Sequence, residues 1–175
     1  MRRYMCMVLL LLTIGVSQAY AEYIFGSRSD YDSGARITSI VNLRRQRLGM
    51  RPLMYSKGLT DYSSYYNTIQ IEHGMISHDY LTVAQKQVIR MNALVGHREF
   101  HLMQEGNQLG ELLHYVERRY IEGHPYNYYV PMIFHDSPAH YNILYSPQAT
   151  ALGVAYDTDD THYYFTFLVH IRRSR

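Results

Sequence analysis

The strongest constraint on the fold is a strand–turn–strand pattern at the C-terminal end of the chain. Ala149 to Asp157 is an apolar segment typical of a strand, and the polar run of residues 157–161 is typical of a turn. Two sets of residues then alternate, as on the two faces of a second strand. One set is Tyr163, Phe165, Phe167, Val169 and Ile171; the other is His162, Tyr164, Thr166, Leu168 and His170. Such a hairpin must be covered by other elements, and helical patterns upstream predict an α+β layered fold.

Three helical patterns precede this hairpin. The first begins at Asp32 or Ser33 and ends before Gly49 and Pro52; the second begins near Ser56 and ends before Gly74; the third is capped by Thr82 and stopped by Gly96. Residues 111–122 predict a strand that runs into a helix, and residues 127–136 a short helix. This last helix is expected to end in a Ser137-Pro138 turn that presents His140, before an apolar segment returns into the hairpin.

The N-terminal segment has the pattern of a secretory signal peptide. Arg2 and Arg3 precede an apolar run from Met5 to Val16, and Ala19-Tyr20-Ala21 is a small-x-small cleavage site. The run is too short to span a bilayer, so we expect cleavage after Ala21 and a secreted or periplasmic protein without a transmembrane segment in its mature chain. The predicted organisation is a signal peptide at 1–21, a lead-in at 22–34 and one domain at 35–175.

Composition narrows the function classes. Cys6, the only cysteine, lies in the predicted signal peptide, so the mature chain has no disulfide and no cysteine nucleophile. Removal of residues 1–21 takes away two arginines and no acidic residue, which leaves 15 basic and 15 acidic residues. This balance does not favour a nucleic-acid partner. A serine hydrolase also has little support, because Ser77 beside His78 is sequence adjacency rather than the geometry of a nucleophile and its base.

Five motifs in this order resemble the CAP superfamily of cysteine-rich secretory proteins, antigen 5 and pathogenesis-related 1 proteins, and most of all its cysteine-free bacterial branch. The resemblance runs from about residue 35 to residue 171. The motifs are Asn42-x-x-Arg45-x-x-x-Gly49 with Pro52-Leu53, Ser77-His78, Gly110-Glu111-Leu112-Leu113, Phe134-x-x-Ser137-Pro138-Ala139-His140-x-Asn142-Ile143-Leu144, and Leu152-Gly153-Val154.

The resemblance implies an α–β–α sandwich with a central antiparallel sheet flanked by helices. It also implies a surface cleft lined by two histidines and acidic residues, a set that holds a divalent metal in many members. Carried over by motif, the cleft residues are His78, Glu111 and His140. Ser137 stands where plant and animal members carry a second acid. Asp136 and Tyr141 are, with Ser137, candidate auxiliary residues.

Two imidazoles and one carboxylate are donors that zinc accepts, with water as a fourth ligand. The tentative metal set is therefore His78, His140 and Glu111, with zinc as the candidate cofactor. The other interpretation is a hydrogen-bonded cleft network without metal. His97 and His101 are a further histidine pair, for which a solvated face is the simpler interpretation.

The leading functional hypothesis is a binding module that recognises an extracellular lipid, cell-wall glycan or protein. One alternative is a metal-dependent hydrolase that uses the same residues. Another is a structural or host-interaction protein whose cleft is vestigial. The sequence leaves open whether the protein is an enzyme.

Overall fold

The computed structural model describes residues 33–95, 108–121 and 137–172. Several predicted features lie outside these ranges: the signal peptide, most of the lead-in, Gly96, the histidines at 97 and 101, the helix at 127–136, and Asp136. The described helices are α1 (Ser33–Arg47), α2 (Lys57–His73), α3 (Val83–Val95), α4 (Arg118–Ile121) and α5 (Pro138–Leu144). The strands are β1 (Met54–Tyr55), β2 (Gln108–Glu117), β3 (Ala149–Thr158) and β4 (His162–Ile171).

Local signals set the ends of the first helices. After α1, Gly49 has a φ of 71°, and the residue that follows α2, Gly74, has a φ of 67° and donates its N–H to the carbonyl of Ile71. These are left-handed backbones, which glycine adopts at low cost. The side chain of Ser56 accepts the N–H of Leu59 at the start of α2. Thr82 and Gln85 bond reciprocally before α3, as in a capping box.

The four described strands form one sheet in the order β1-β3-β4-β2. The three long strands are antiparallel, as the C-terminal pattern predicts, and β3 and β4 form the expected hairpin. β1 is a two-residue strand that pairs in parallel with β3, through Met54 opposite Ala151 and Tyr55 opposite Leu152. The sheet is therefore mixed, and β2 lies at its edge among the described strands.

Helices cover both faces of this sheet. Glu111, Leu168 and Gly153 lie opposite one another on β2, β4 and β3, so their side-chain positions share one face. There α2 packs so closely that a Cβ on Gly153 would lie 2.2 Å from the Cβ of Leu59. The core on this face consists of Leu59, Tyr62, Tyr66, Leu113, Ala151 and Leu168.

The next position on β2, Gly110, belongs to the opposite face of the sheet. A Cβ on Gly110 would lie 2.4 Å from the Cγ2 of Ile143, which is in α5. The arrangement is the α+β, helix–sheet–helix architecture that the sequence predicts. No helix in the described part of the chain is long and apolar enough to cross a membrane.

The structure changes the prediction for Ser137-Pro138. Ser137 is the N-cap of a helix, its side chain accepts the N–H of His140, and Pro138 occupies the first turn. His140 therefore lies inside α5 rather than in a turn, and the predicted apolar return at residues 143–144 is the end of this helix. A proline in a first helical turn loses no hydrogen bond, because its N–H would have no partner within the helix.

Candidate functional site

Glu111 is the centre of the described cluster. Its side chain is 8% exposed. Its Oε1 lies 3.0 Å from the Nδ1 of His78 and 2.7 Å from the Nζ of Lys86. Its Oε2 lies 3.0 Å from the Nη2 of Arg90 and accepts a longer bond, of 3.4 Å, from the hydroxyl of Tyr62. One buried carboxylate thus has an imidazole, an ammonium, a guanidinium and a phenol as partners.

Lys86 and Arg90 come from α3, where a spacing of four residues places them on one face. We call this pair the cation clamp. Both side chains turn inward, with 11% and 16% of their surface exposed. The Nζ of Lys86 lies 4.9 Å from the ring centroid of Tyr66, and the Cζ of Arg90 lies 5.0 Å from that of Tyr62. The aromatic faces of α2 and the carboxylate of β2 together stabilise the two cations.

His78 is held by its backbone, while its ring remains 54% exposed. Gln70 accepts the N–H of Ser77 and donates to its carbonyl, and the hydroxyl of Tyr66 donates to the same carbonyl at 2.8 Å. Lys86 donates to the carbonyl of His78 at 2.6 Å. The loop that carries His78 is therefore fixed by α2 and by the clamp, and its ring lies at the surface of the cluster.

His140 lies in α5, which packs on β2 through Ile143 against Gly110, on the sheet face opposite to that of Glu111. Its link to the cluster is His78, whose charge acts on it. Burial lowers the pKa of His140, and the nearby charge of His78 lowers it further. Its Nδ1 is buried and has no hydrogen-bond partner among the described residues. His140 is thus predominantly neutral at pH 7.

Opposing effects set the ionisation of Glu111. Burial alone would raise its pKa, but hydrogen bonds from His78 and Lys86 and the charges of Lys86 and Arg90 outweigh it, so the pKa lies below its ordinary value. The phenols respond in the opposite direction. Burial, with the charge of Glu111, raises the pKa of Tyr66 to about 12 and that of Tyr62 further. At neutral pH the cluster therefore contains one carboxylate, two cations and neutral phenols.

These donors do not fit a divalent metal ion. In the part of the chain that the structure describes, no group of three His, Cys, Asp or Glu side chains could hold one. Both oxygens of Glu111 already accept hydrogen bonds from cationic groups. A metal ligand needs an oxygen lone pair directed at the ion, and an ion at Glu111 would lie beside two positive charges.

The auxiliary candidates have other contacts. Ser137 is the N-cap of α5, and Asp136 lies outside the described residues. The ring of Tyr141 packs 4.6 Å from that of Tyr145, and the guanidinium of Arg44 lies over both rings. Tyr141 is thus placed against Tyr145 and α1, with no contact to Glu111 among those the structure gives it.

The sequence pattern did not identify the cation clamp, which is the main addition that the structure makes to the site. Lys86 and Arg90 are the only charged residues in α3, and their spacing of four places them on one face. A charged helix face is ordinarily the one that meets solvent, so nothing in the sequence pointed to a buried partner for this pair.

Comparisons with known proteins agree with this architecture. The sequence model of the CAP family, described as the cysteine-rich secretory protein family, matches residues 38–171. No curated protein sequence matches the chain. Among solved structures, an outer surface protein of Borrelia burgdorferi is similar with a TM-score of 0.58 and 19% identity, over 83% of this chain and 97% of that one.

Two further structures share the fold. An extracellular protein of Bacillus anthracis that contains an SCP domain has a TM-score of 0.52 and 20% identity, over 79% of this chain and 40% of its own. A cysteine-rich secretory protein of Staphylococcus aureus has a TM-score of 0.50 and 12% identity, over 81% and 39%. The chain thus spans about two fifths of each of these two proteins. Identities this low relate the chains by fold alone.

Proposed function

Because the chain belongs to the CAP family of cysteine-rich secretory proteins, we propose that it is a secreted or periplasmic binding module whose site is built around His78, Glu111 and His140. The observation that carries the proposal is the pairing of Glu111 with protein cations beside a half-exposed imidazole. A carboxylate held in this way positions His78, which then offers its second ring nitrogen to a ligand.

The chemistry of His78 suits recognition. When Nδ1 carries the proton that is shared with Glu111, Nε2 accepts a hydrogen bond from a ligand; when the ring is protonated, Nε2 donates one. The ligand class is an extracellular lipid, a cell-wall glycan or a protein. The hydrolase alternative requires an open metal with a bound water, and the pairing of Glu111 with Lys86 and Arg90 argues against that use of the carboxylate.

Capture experiments test the binding role. Residues 22–175 would be applied to lipid vesicles and cell-wall fragments, beside the His78→Ala/His140→Ala double variant and a His162→Ala control at the hairpin turn. We expect capture by the native protein and the control, and loss of capture by the double variant with its fold intact. If the double variant differs from the native protein only in stability, the site is vestigial and the proposal fails.

Export is the second part of the proposal. The Arg2-Arg3 and Ala19-Tyr20-Ala21 pattern supports a cleaved signal peptide, and two similar structures are described as an outer surface protein and an extracellular protein. Mass spectrometry of the protein from extracellular and periplasmic fractions should give a mature N-terminus at Glu22. Intact protein that starts at Met1 in the cytoplasm would contradict export.

A further inference from the structure

The two cations of the clamp give the site a net positive charge. Lys86 and Arg90 supply two positive charges, and Glu111 supplies one negative charge, all on side chains that are at most 16% exposed. Counted over Lys86, Arg90 and Glu111, this buried group has a surplus of one positive charge. Asp79 is also nearby, but it is an exposed loop residue, so water and salt screen its charge more strongly.

The same pairs decide which ions can approach Glu111. Lys86 lies 2.7 Å from Oε1, the oxygen that His78 also contacts, and Arg90 lies 3.0 Å from Oε2. A divalent cation at either oxygen would have to displace one of these groups or lie a few ångströms from it, where repulsion between like charges is strong. Displacement would also remove the Lys86 contacts to the His78 carbonyl and the Tyr66 ring.

An anion, in contrast, would be attracted by the positive charge of these groups. At the exposed His78 ring, an anionic oxygen would accept a hydrogen bond from Nε2 when this nitrogen carries a proton, and it would lie in the field of the surplus charge of the clamp. Because the clamp is shielded from water, its field is screened less than that of a surface lysine.

We propose that Lys86 and Arg90 make the His78–Glu111–His140 site selective for an anionic oxygen group, a phosphate or a carboxylate, and exclude a divalent metal ion. The inference rests on the proposed binding function and names the chemistry of its ligand. Lys86 and Arg90 are positioning residues for Glu111 and His78, and they set the charge preference of the site.

Two titrations of residues 22–175 at pH 7.5 test the charge preference, each followed through the ring-proton NMR signals of His78 and His140. In the first, zinc should give no saturable change below about 1 mM. In the second, inorganic phosphate or acetate should shift both signals in a saturable way. Vesicles with a phosphatidylglycerol headgroup, compared with phosphatidylcholine vesicles, then distinguish a lipid phosphate from a free anion.

Matched variants isolate the clamp. Lys86→Gln and Arg90→Gln each remove one charge and should weaken anion binding by about tenfold, whereas Lys57→Gln and Arg119→Gln, at 61% and 69% exposed side chains, should leave it unchanged. Glu111→Gln raises the surplus charge and should strengthen anion binding. If none of the three site variants folds, the zinc and phosphate titrations of the native protein still decide between the two ions.

Three results would overturn the inference. The first is micromolar zinc binding that disappears in the His78→Ala/His140→Ala variant. The second is equal anion affinity in the native protein, the clamp variants and the surface controls. The third is histidine-dependent capture of an uncharged glycan with no response to any anion, which would overturn the charge preference and leave the proposed binding function standing.

Discussion

At the scale of single residues, Glu111 combines a site role with a large structural one. Its carboxylate is the shared counter-charge of two cations that are at most 16% exposed. Breaking a buried ion pair on one side leaves the other charge uncompensated, and this usually costs more than the loss of a neutral hydrogen bond. The stability of the α3–β2 contact therefore depends on this one side chain.

We predict that Glu111→Gln lowers the free energy of unfolding by about 3 kcal/mol, since two buried cations lose their counter-charge. Urea denaturation at pH 7 measures the change. The control is Asp61→Asn, which breaks the exposed Lys57–Asp61 pair and should cost at most about 1 kcal/mol. Equal effects of the two substitutions would show that the Glu111 pairs contribute no more than a surface pair.

The lowered pKa of Glu111 also predicts a pH dependence. Its unfolded-state pKa is about 4.3, and its folded-state pKa is lower because of His78 and the clamp. The stability that it contributes is therefore fully present above about pH 4.3 and is lost as the pH falls through the folded-state pKa. Denaturation from pH 6 to pH 2 should show a steeper loss in the native protein than in Glu111→Gln. Parallel curves would contradict this assignment.

Asp159 gives a second residue-scale prediction, at the hairpin turn. Burial alone would raise its pKa, but bonds from the N–H groups of Thr161 and His162 and the hydroxyls of Thr161 and Tyr164 together outweigh burial and lower the pKa to about 2, from an ordinary 3.8. Its stabilisation should be present above pH 3.8 and lost as the pH falls toward 2. NMR titration of the Asp159 carboxyl measures this directly, and a value near 3.8 would show that the turn bonds do not favour the charged form.

At the scale of elements, two glycines on the sheet set how closely helices approach it. A Cβ on Gly153 would meet the backbone of Leu59 at 2.4 Å, whereas a Cβ on Gly110 would meet only side-chain atoms of Ile143. A side chain yields by rotation, but a helix backbone must move as a whole. The contact between α2 and β3 at Gly153 is therefore tighter than the contact between α5 and β2 at Gly110.

We predict that Gly153→Ala destabilises the fold by at least about 3 kcal/mol and Gly110→Ala by about 1–2 kcal/mol, on the usual scale of overpacking. Urea midpoints of the two variants measure the difference. Gly110→Ala should in addition broaden or shift the NMR signal of His140, because Ile143 and His140 share a helix. The reverse order of stabilities would show that α2 adjusts more easily than α5.

The element level is also where the sequence was most informative. The caps at Ser56, Gly74 and Thr82 are local signals, so the starts or ends of their helices were predictable from a few residues each, whereas Ser137 was predicted in a turn at the end of a helix and instead caps the start of α5. The two-residue β1 was not predictable, because its partner strand β3 lies about a hundred residues further along the chain. Lys86 and Arg90 were missed for the same reason: Glu111, their partner, lies on another element.

At the scale of the whole molecule, Arg45 connects distant parts of the chain. Its side chain is fully buried, and its guanidinium donates to the carbonyls of Arg51, Leu144 and Ser146. Burial lowers its pKa from the ordinary value. The motif that contains Arg45 indicated a family resemblance. The physical role of Arg45, which is to connect α1 to the end of α5, became visible only in the structure.

This bridge makes Arg45→Lys a non-conservative change. An ammonium is a single point with three donors and cannot reach carbonyls on both sides as the planar guanidinium does. Each carbonyl that loses its donor and is left without water costs about 1–3 kcal/mol, so we expect a loss of at least about 3 kcal/mol. Arg44→Lys, whose cation lies over the Tyr141 and Tyr145 rings, is the adjacent control and should cost about 1 kcal/mol or less. Urea denaturation of both variants decides the question: if Arg45→Lys is no less stable than Arg44→Lys, the bridge between α1 and α5 does not hold the domain together.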